Sequence, residues 1–156
     1  MKVLFLDVDG VLNYEGCDSY FGSVHFVVEE KVRLLADIIS ETDARIVLTS
    51  TWREGYYDML GQEESFDSCL YEALVEKLEE NDLYIHDCIG SDGQTRGEQI
   101  ELWIKDSKED IESFVILDDM NAEEFGQYAD YLVQTDSGIG LEEYHVKAAI
   151  QILNEG

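Results

Sequence analysis

The hydrophobic pattern along the chain alternates between short continuous apolar runs and longer stretches with apolar residues three or four apart. Residues 2–8, KVLFLDV, form the first run and read as a buried strand. Residues 13–27, NYEGCDSYFGSVHFV, are rich in Gly, aromatic and small polar residues and read as a loop or small hairpin. From Val28 to about Ser40, Val32, Leu35 and Ile39 recur at helical spacing. RIVL at 45–48 is a second short strand and runs into Thr49, Ser50, Thr51, Trp52 and Arg53.

A mixed segment over about 54–67 follows, and then a helix with Leu70, Leu74 and Leu78 on one face. LYIHDCI at 83–89 is a weaker third strand. Thr95-Arg-Gly-Glu98 matches a capping box, opening a helix that buries Ile100, Trp103 and Ile104. FVIL at 114–117 is a fourth strand and ends at Asp118 and Asp119, YLV near 132 is a fifth, and the last helix carries Val146, Ala149, Ile150 and Leu153.

Strands alternating with helices predict an α/β fold, a Rossmann-like parallel sheet with helices on both faces. Ligands of such sheets bind beyond the carboxyl ends of the strands, where strand order reverses. The polar clusters fall at that rim. Asp7 and Asp9 end the first strand, Thr49 and Ser50 the second, and Asp118 and Asp119 the fourth. Arg96 lies in the first turn of its helix, where backbone amides already favour an anion.

Composition narrows the picture. A chain of 156 residues with 45% hydrophobic content has the size of one domain with its own core. No linker or repeat divides it, so 1–156 is read as a single domain. The segments 13–27 and 54–83 are the places for a flap and a small insert. Ten Lys and Arg against 36 Asp and Glu leave a formal net charge of −26, which argues against non-specific nucleic-acid binding and against docking on an anionic membrane. There is no apolar run of membrane-spanning length, and the first strand meets Asp7 too early for a signal peptide, so the expected location is the cytoplasm. Cys17, Cys69 and Cys88 show neither a disulfide framework nor zinc spacing.

Carboxylates gathered at one rim repel unless a cation sits among them. Hard oxygen ligands without thiolates or a His cluster suit Mg2+. One carboxylate can then be a nucleophile towards phosphorus while its neighbour moves a proton. Thr49 or Ser50 and the Arg96 guanidinium would hold the non-bridging oxygens.

These residues carry a resemblance. FLDVDGVLN resembles the first motif, DxDG after a hydrophobic strand, of the haloacid dehalogenase (HAD) superfamily of phosphohydrolases. IVLTS resembles the second motif and FVILDD the fourth, while Arg96 stands where the family usually has a lysine. The series LTSTWR, TRGEQIELWI, ILDD and GIGL, in order along nearly the whole chain, is similar to the HAD domain of Swiss-army-knife RNA-repair proteins.

The resemblance implies a magnesium-dependent phosphohydrolase with Asp7 as nucleophile and metal ligand. Asp9 would be the acid that protonates the leaving oxygen and then the base that activates water, its backbone carbonyl also touching the metal. Thr49, with Ser50 as the alternative, and Arg96 would bind the phosphoryl group. Asp119 would ligate the metal directly, with Asp118 behind it. An acid at position 9 favours phosphoryl transfer over dehalogenation.

Other readings stay open at this point. Thr49 and Ser50 also suit a helix cap near Trp52. Arg53 could reach the substrate's leaving group or close an ion pair. Trp52 and Trp103 read as packing, and His25, His86 and His145 as ordinary residues, though His25 lies where a flap would be. The short cap segments imply an open cleft, which in this superfamily often accompanies large substrates. The acidic composition points instead to a small phosphorylated metabolite or a basic partner. Two rival functions remain: a phosphoacceptor signalling domain, whose acids would come in the reverse order, and an idle acidic interaction module. Oligomeric state is not legible.

Overall fold

Every side chain from Val3 to Leu6 is fully buried, alternating between two faces. That burial identifies β1 (Lys2–Leu6) as the centre of the structure. In the computed structural model, which describes residues 1–155, β1 pairs in parallel with β4 (Arg45–Leu48) on one side and β6 (Ser113–Asp118) on the other. β5 (Ile85–Cys88) extends the sheet beyond β4, and β7 (Leu132–Gln134) extends it beyond β6. The order is β5-β4-β1-β6-β7, so the direction of strand addition reverses between β1 and β6. The α/β, Rossmann-like expectation holds.

Two apolar layers form because the strands are buried on both faces. On one, Leu4, Leu6, Ile46, Leu48, Val115 and Leu117 meet α1 (Glu29–Thr42), α3 (Phe66–Glu79) and α5 (Glu143–Glu155). On the other, Val3, Phe5, Val47 and Ile116 meet Ile100 of α4 (Arg96–Asp106) and Phe125. Helix α1 buries Val32, Leu35 and also Ile38. Its buried Lys31 is satisfied by donating to the Leu141 carbonyl at 2.8 Å. Of the expected capping box at α4, half is present. Thr95 Oγ1 accepts from the Glu98 amide at 3.1 Å, but the Glu98 carboxylate takes the Gln94 amide instead of that of Thr95.

The segment 54–67 differs most from the sequence reading, because it forms α2 (Arg53–Leu60) and the start of α3. The helix expected from Leu70, Leu74 and Leu78 is α3, which buries those residues and Tyr71 against the sheet. Helix α2 has no side-chain cap and depends on packing. A Cβ on Gly55 would lie 2.0 Å from the Asp67 carbonyl oxygen, so only glycine lets α2 and α3 approach this closely. Serines 65 and 68 cap α3 reciprocally. Between β6 and β7, the 3-10 turns over Ala122–Tyr131 break at Gly126 and bury Phe125. No helix among the described residues is long and apolar enough to cross a membrane.

Within 13–27, β2 (Tyr20–Phe21) and β3 (Val24–His25) make a small hairpin. Its two-residue turn starts at Gly22, whose φ of 61° suits the first position of a II′ turn.

Helix α4 and the 3-10 turns meet through Gly97, where a Cβ would come within 2.8 Å of the Phe125 backbone. Gly97→Ala is therefore expected to lower unfolding free energy by about 1–3 kcal/mol, since the obstacle is main chain and cannot rotate away. Chemical denaturation measures this, and a wild-type midpoint would contradict the packing.

Candidate active site

Strand register assembles the site. Leu6 is level with Leu48 on one side and Leu117 on the other, so the next residues, Asp7, Thr49 and Asp118, stand side by side. Backbone bonds from the Asp7 amide to Leu117 O at 3.0 Å and from the Thr49 amide to Leu6 O at 2.9 Å carry the ladder into these positions. Alternation then sends the three side chains to the face of Phe5, Val47 and Ile116. Helix α4 covers that face, and Arg96 is its first residue.

Arg96 Nη1 donates to Asp118 Oδ2 at 3.0 Å, lies 3.4 Å from Thr49 Oγ1 and is 3.7 Å from Asp7 Oδ1. All four residues are buried. Oxygens of Asp7, Asp118 and Asp119 lie within 4.8 Å of one another. Against these three carboxylates, Arg96 is the ion-pair partner among the described residues, so full ionisation would leave two negative charges without compensation. Burial, together with the charges of Asp118 and Asp119, pushes Asp7 from its ordinary value up to about 8, although Arg96 opposes the shift. Burial and Asp118 raise Asp119 as well. An all-oxygen donor set with this excess of charge fits a hard divalent cation such as Mg2+.

Gly10 makes room for the cluster. Its φ is 81°, and a Cβ there would lie 2.1 Å from Asp119 Oδ2. Thr135 Oγ1 fixes the same turn by donating to Gly10 O at 2.6 Å. Asp118, read from sequence as lying behind Asp119, has Oδ2 on Arg96 and Oδ1 on the Met120 amide. Asp119 is half-buried.

Asp9 stands apart from the three-carboxylate cluster and reaches solvent. Trp52 Nε1 donates to its Oδ2 at 3.1 Å, and Asn13 Nδ2 donates to its Oδ1 at 2.9 Å. Asn13 Oδ1 also accepts from the Gly10 amide at 2.9 Å. Sequence reasoning missed both partners. Asn13 had a signal, being a polar residue that directly follows an apolar pair within FLDVDGVLN, whereas nothing local distinguishes Trp52 from a packing residue.

Of the two candidate hydroxyls, Thr49 faces Arg96, while Ser50 Oγ accepts from the Trp52 amide at 3.2 Å. Arg53 turns inward. It is buried, donates to the carbonyls of Thr49 and Ser50, and reaches Gln99 Oε1 at 3.3 Å. It thereby closes the end of β4, and it does not line the cavity beside Asp9. His25 does line that cavity, together with Trp52 and the first turn of α3.

With this geometry in place, the comparison with known families is decisive. A family model described as the HAD domain in Swiss Army Knife RNA repair proteins matches residues 3–146. The chain belongs to this family. A search of curated proteins finds no match. The match runs from the second residue of β1 through β7 to the first turn of α5, and it points to phosphohydrolase-type activity. Mg2+ is the cation such domains generally use, and the Asp7, Asp118 and Asp119 cluster of this HAD domain has the donor set for it.

Protonation of Asp7 gives the site a measurable pH signature. Between 3.8 and about 8, the folded protein without a cation keeps a proton on Asp7 that the unfolded chain has released. Its folding stability therefore falls as pH rises through that window. Thermal unfolding in a chelator should show this decline, and Asp7→Asn should flatten it. An equally steep decline in the variant would mean that Asp7 is not held in its protonated form.

Proposed function

We propose that the protein is a magnesium-dependent phosphomonoesterase that works through an aspartyl-phosphate on Asp7. The observation that carries this reading is the division of acids into two environments. Asp7 lies in the buried cluster with Arg96 and Thr49, while Asp9 is held apart by Trp52 and Asn13 at the edge of a cavity.

The cluster explains the need for a cation. Buried among like charges, Asp7 holds a proton at neutral pH and is a poor nucleophile in that form. When bound, Mg2+ supplies positive charge that favours the carboxylate and stabilises charge on a phosphoryl oxygen. Carboxylates of Asp7 and Asp119 and the backbone carbonyl of Asp9 would hold it, with Asp118 behind them fixing Arg96. Ligation by Asp118 itself would compete with its 3.0 Å bond to Arg96.

In the first half-reaction, an Asp7 oxygen attacks phosphorus while the bond to the leaving oxygen breaks. Asp9 gives its proton to that oxygen. Arg96 and the Thr49 hydroxyl hold non-bridging oxygens, where transition-state charge collects. In the second, Asp9 takes a proton from water, which attacks the aspartyl-phosphate, releasing inorganic phosphate and restoring Asp7. Trp52 and Asn13 keep the Asp9 carboxyl oriented in both halves.

Hydrolysis of an aryl phosphate with and without Mg2+ tests the reading. Turnover should require the metal, and Asp7→Asn should abolish it. Asp9→Asn should reduce it by about 10²–10⁴-fold. Metal-independent turnover, or turnover indifferent to either substitution, would exclude the mechanism; no turnover at all would favour a non-catalytic acidic module. Arg96→Lys is a better probe than Arg96→Ala, because removing the cation strands the buried Asp118 and costs about 3–5 kcal/mol of stability.

Trp52→Phe keeps the ring beside Phe26 but removes the donor to Asp9. It should lower kcat by about tenfold, with a smaller change in KM and a displaced acid or base limb in the pH profile. An unchanged pH profile would reduce Trp52 to packing.

A further inference from the structure

A cavity of about 450 Å³ opens beside Asp9, within the size range of small-molecule sites. The hairpin, Trp52 and the first turn of α3 enclose it. Three of its walls are rings, each held from behind. His25 stacks on Tyr20 with centroids 4.9 Å apart, and its Nδ1 is 3.2 Å from Cys17 Sγ. Trp52 stacks on Phe26 at 6.0 Å and is bonded to Asp9. Phe66 packs against Phe21 at 5.6 Å and has Gly22 beneath it, where a Cβ would approach its ring to 3.3 Å. Rings supported in this way lose little freedom when a flat group slides against them.

Charge narrows the occupant further. The carboxylates lining the cavity are Asp9 and Asp67, and no Lys or Arg does so. Asp67 stands in the first turn of α3, where its charge offsets the attraction that a helix start would have for an anion. The Ser68 amide in that turn is already taken by Ser65 Oγ at 3.0 Å. A second phosphate would therefore meet carboxylates without a countercharge.

We propose that this cavity receives the leaving group, and that the substrate is the monophosphate ester of a compact alcohol bearing a flat aromatic ring and no second phosphate. Nucleoside monophosphates are natural compounds with that chemistry. The proposal rests on the reading of Asp9 as the acid that protonates the leaving oxygen, since Asp9 lines the cavity and stands two residues beyond Asp7. Ring stacking supplies the affinity, and the lining carboxylates exclude polyanions, in keeping with the net charge of −26.

The test follows transfer of the phosphoryl group from the same 5′ oxygen in three esters: adenosine monophosphate, ribose 5-phosphate without the ring, and the adenosine compound with an additional 3′ phosphate. With Mg2+, kcat/KM for adenosine monophosphate should exceed each of the others by about tenfold or more. Phe66→Ala, at a half-exposed position, should move the ratio to ribose 5-phosphate towards one. Asp67→Asn should narrow the ratio to the doubly phosphorylated compound. Equal use of the three esters, or preference for the doubly phosphorylated one, overturns the proposal.

Equilibrium binding of free adenosine to Asp7→Asn protein separates the cavity from the chemistry. Binding that Phe66→Ala weakens, in a protein whose wild type hydrolyses no ester, would retain the cavity assignment and sink the phosphomonoesterase reading. Turnover without ring preference would do the reverse. Failure of adenosine to bind, with no turnover of any ester, overturns the cavity assignment as well.

Discussion

The parallel ladder that runs β4-β1-β6 is the constraint on which the rest depends. Its register sets Asp7, Thr49 and Asp118 abreast, one residue beyond Leu48, Leu6 and Leu117. A slip of one residue in either neighbour would reverse the alternation and turn Thr49 or Asp118 to the opposite face. Burial resists that slip. Each strand presents fully buried side chains to both layers, each worth about 1.5–3 kcal/mol, so misplacing a strand sacrifices several at once. The geometry of the site is thus inherited from the core.

That inheritance carries an electrostatic cost. Three carboxylates at the end of a dry ladder strain the apo fold, and one guanidinium does not neutralise them. The Arg96–Asp118 pair is buried and well aligned at 3.0 Å, so it relieves its own share of the charge and leaves that of Asp7 and Asp119. Under the proposed metal-dependent reading, this arrangement would trade stability of the empty protein for affinity towards a divalent cation. Gly10 marks how closely the cluster is drawn together, because its missing side chain is the space that Asp119 occupies.

Around this rigid centre, the hairpin is attached through aromatic contacts. Phe66, Phe21, Phe26 and Trp52 form a continuous series of ring contacts from the start of α3 to the hydrogen bond on Asp9. The group that positions the proposed acid is therefore also a wall of the neighbouring cavity. In the proposed reaction, recognition of a leaving group and orientation of the proton donor would share one side chain, Trp52, which gives a physical route for coupling them.

The strands and most of the helices were legible in the sequence because burial on two faces, or on one helical stripe, writes itself as local periodicity. Asp7, Asp9, Thr49, Asp118 and Asp119 were legible as candidates because each ends or follows an apolar run, and a polar residue there lies at the rim of a parallel sheet. Helix α2 was not legible, since its formation depends on Gly55 fitting against the α3 backbone and not on a cap or an apolar stripe of its own. Nor could local sequence show that Trp52 and Asn13 would hold Asp9, that Thr49 and not Ser50 would face Arg96, or that Arg53 would turn inward. Trp52 and Asp9 are 43 positions apart, and Arg96 and Thr49 are 47, so tertiary structure brings those pairs together. Asn13 meets Asp9, and Arg53 the Thr49 carbonyl, within four positions, where the rotamer decides. Local patterning sets which residues reach the rim; how their side chains partner there is decided by strand register and by the rotamers that the surrounding packing allows.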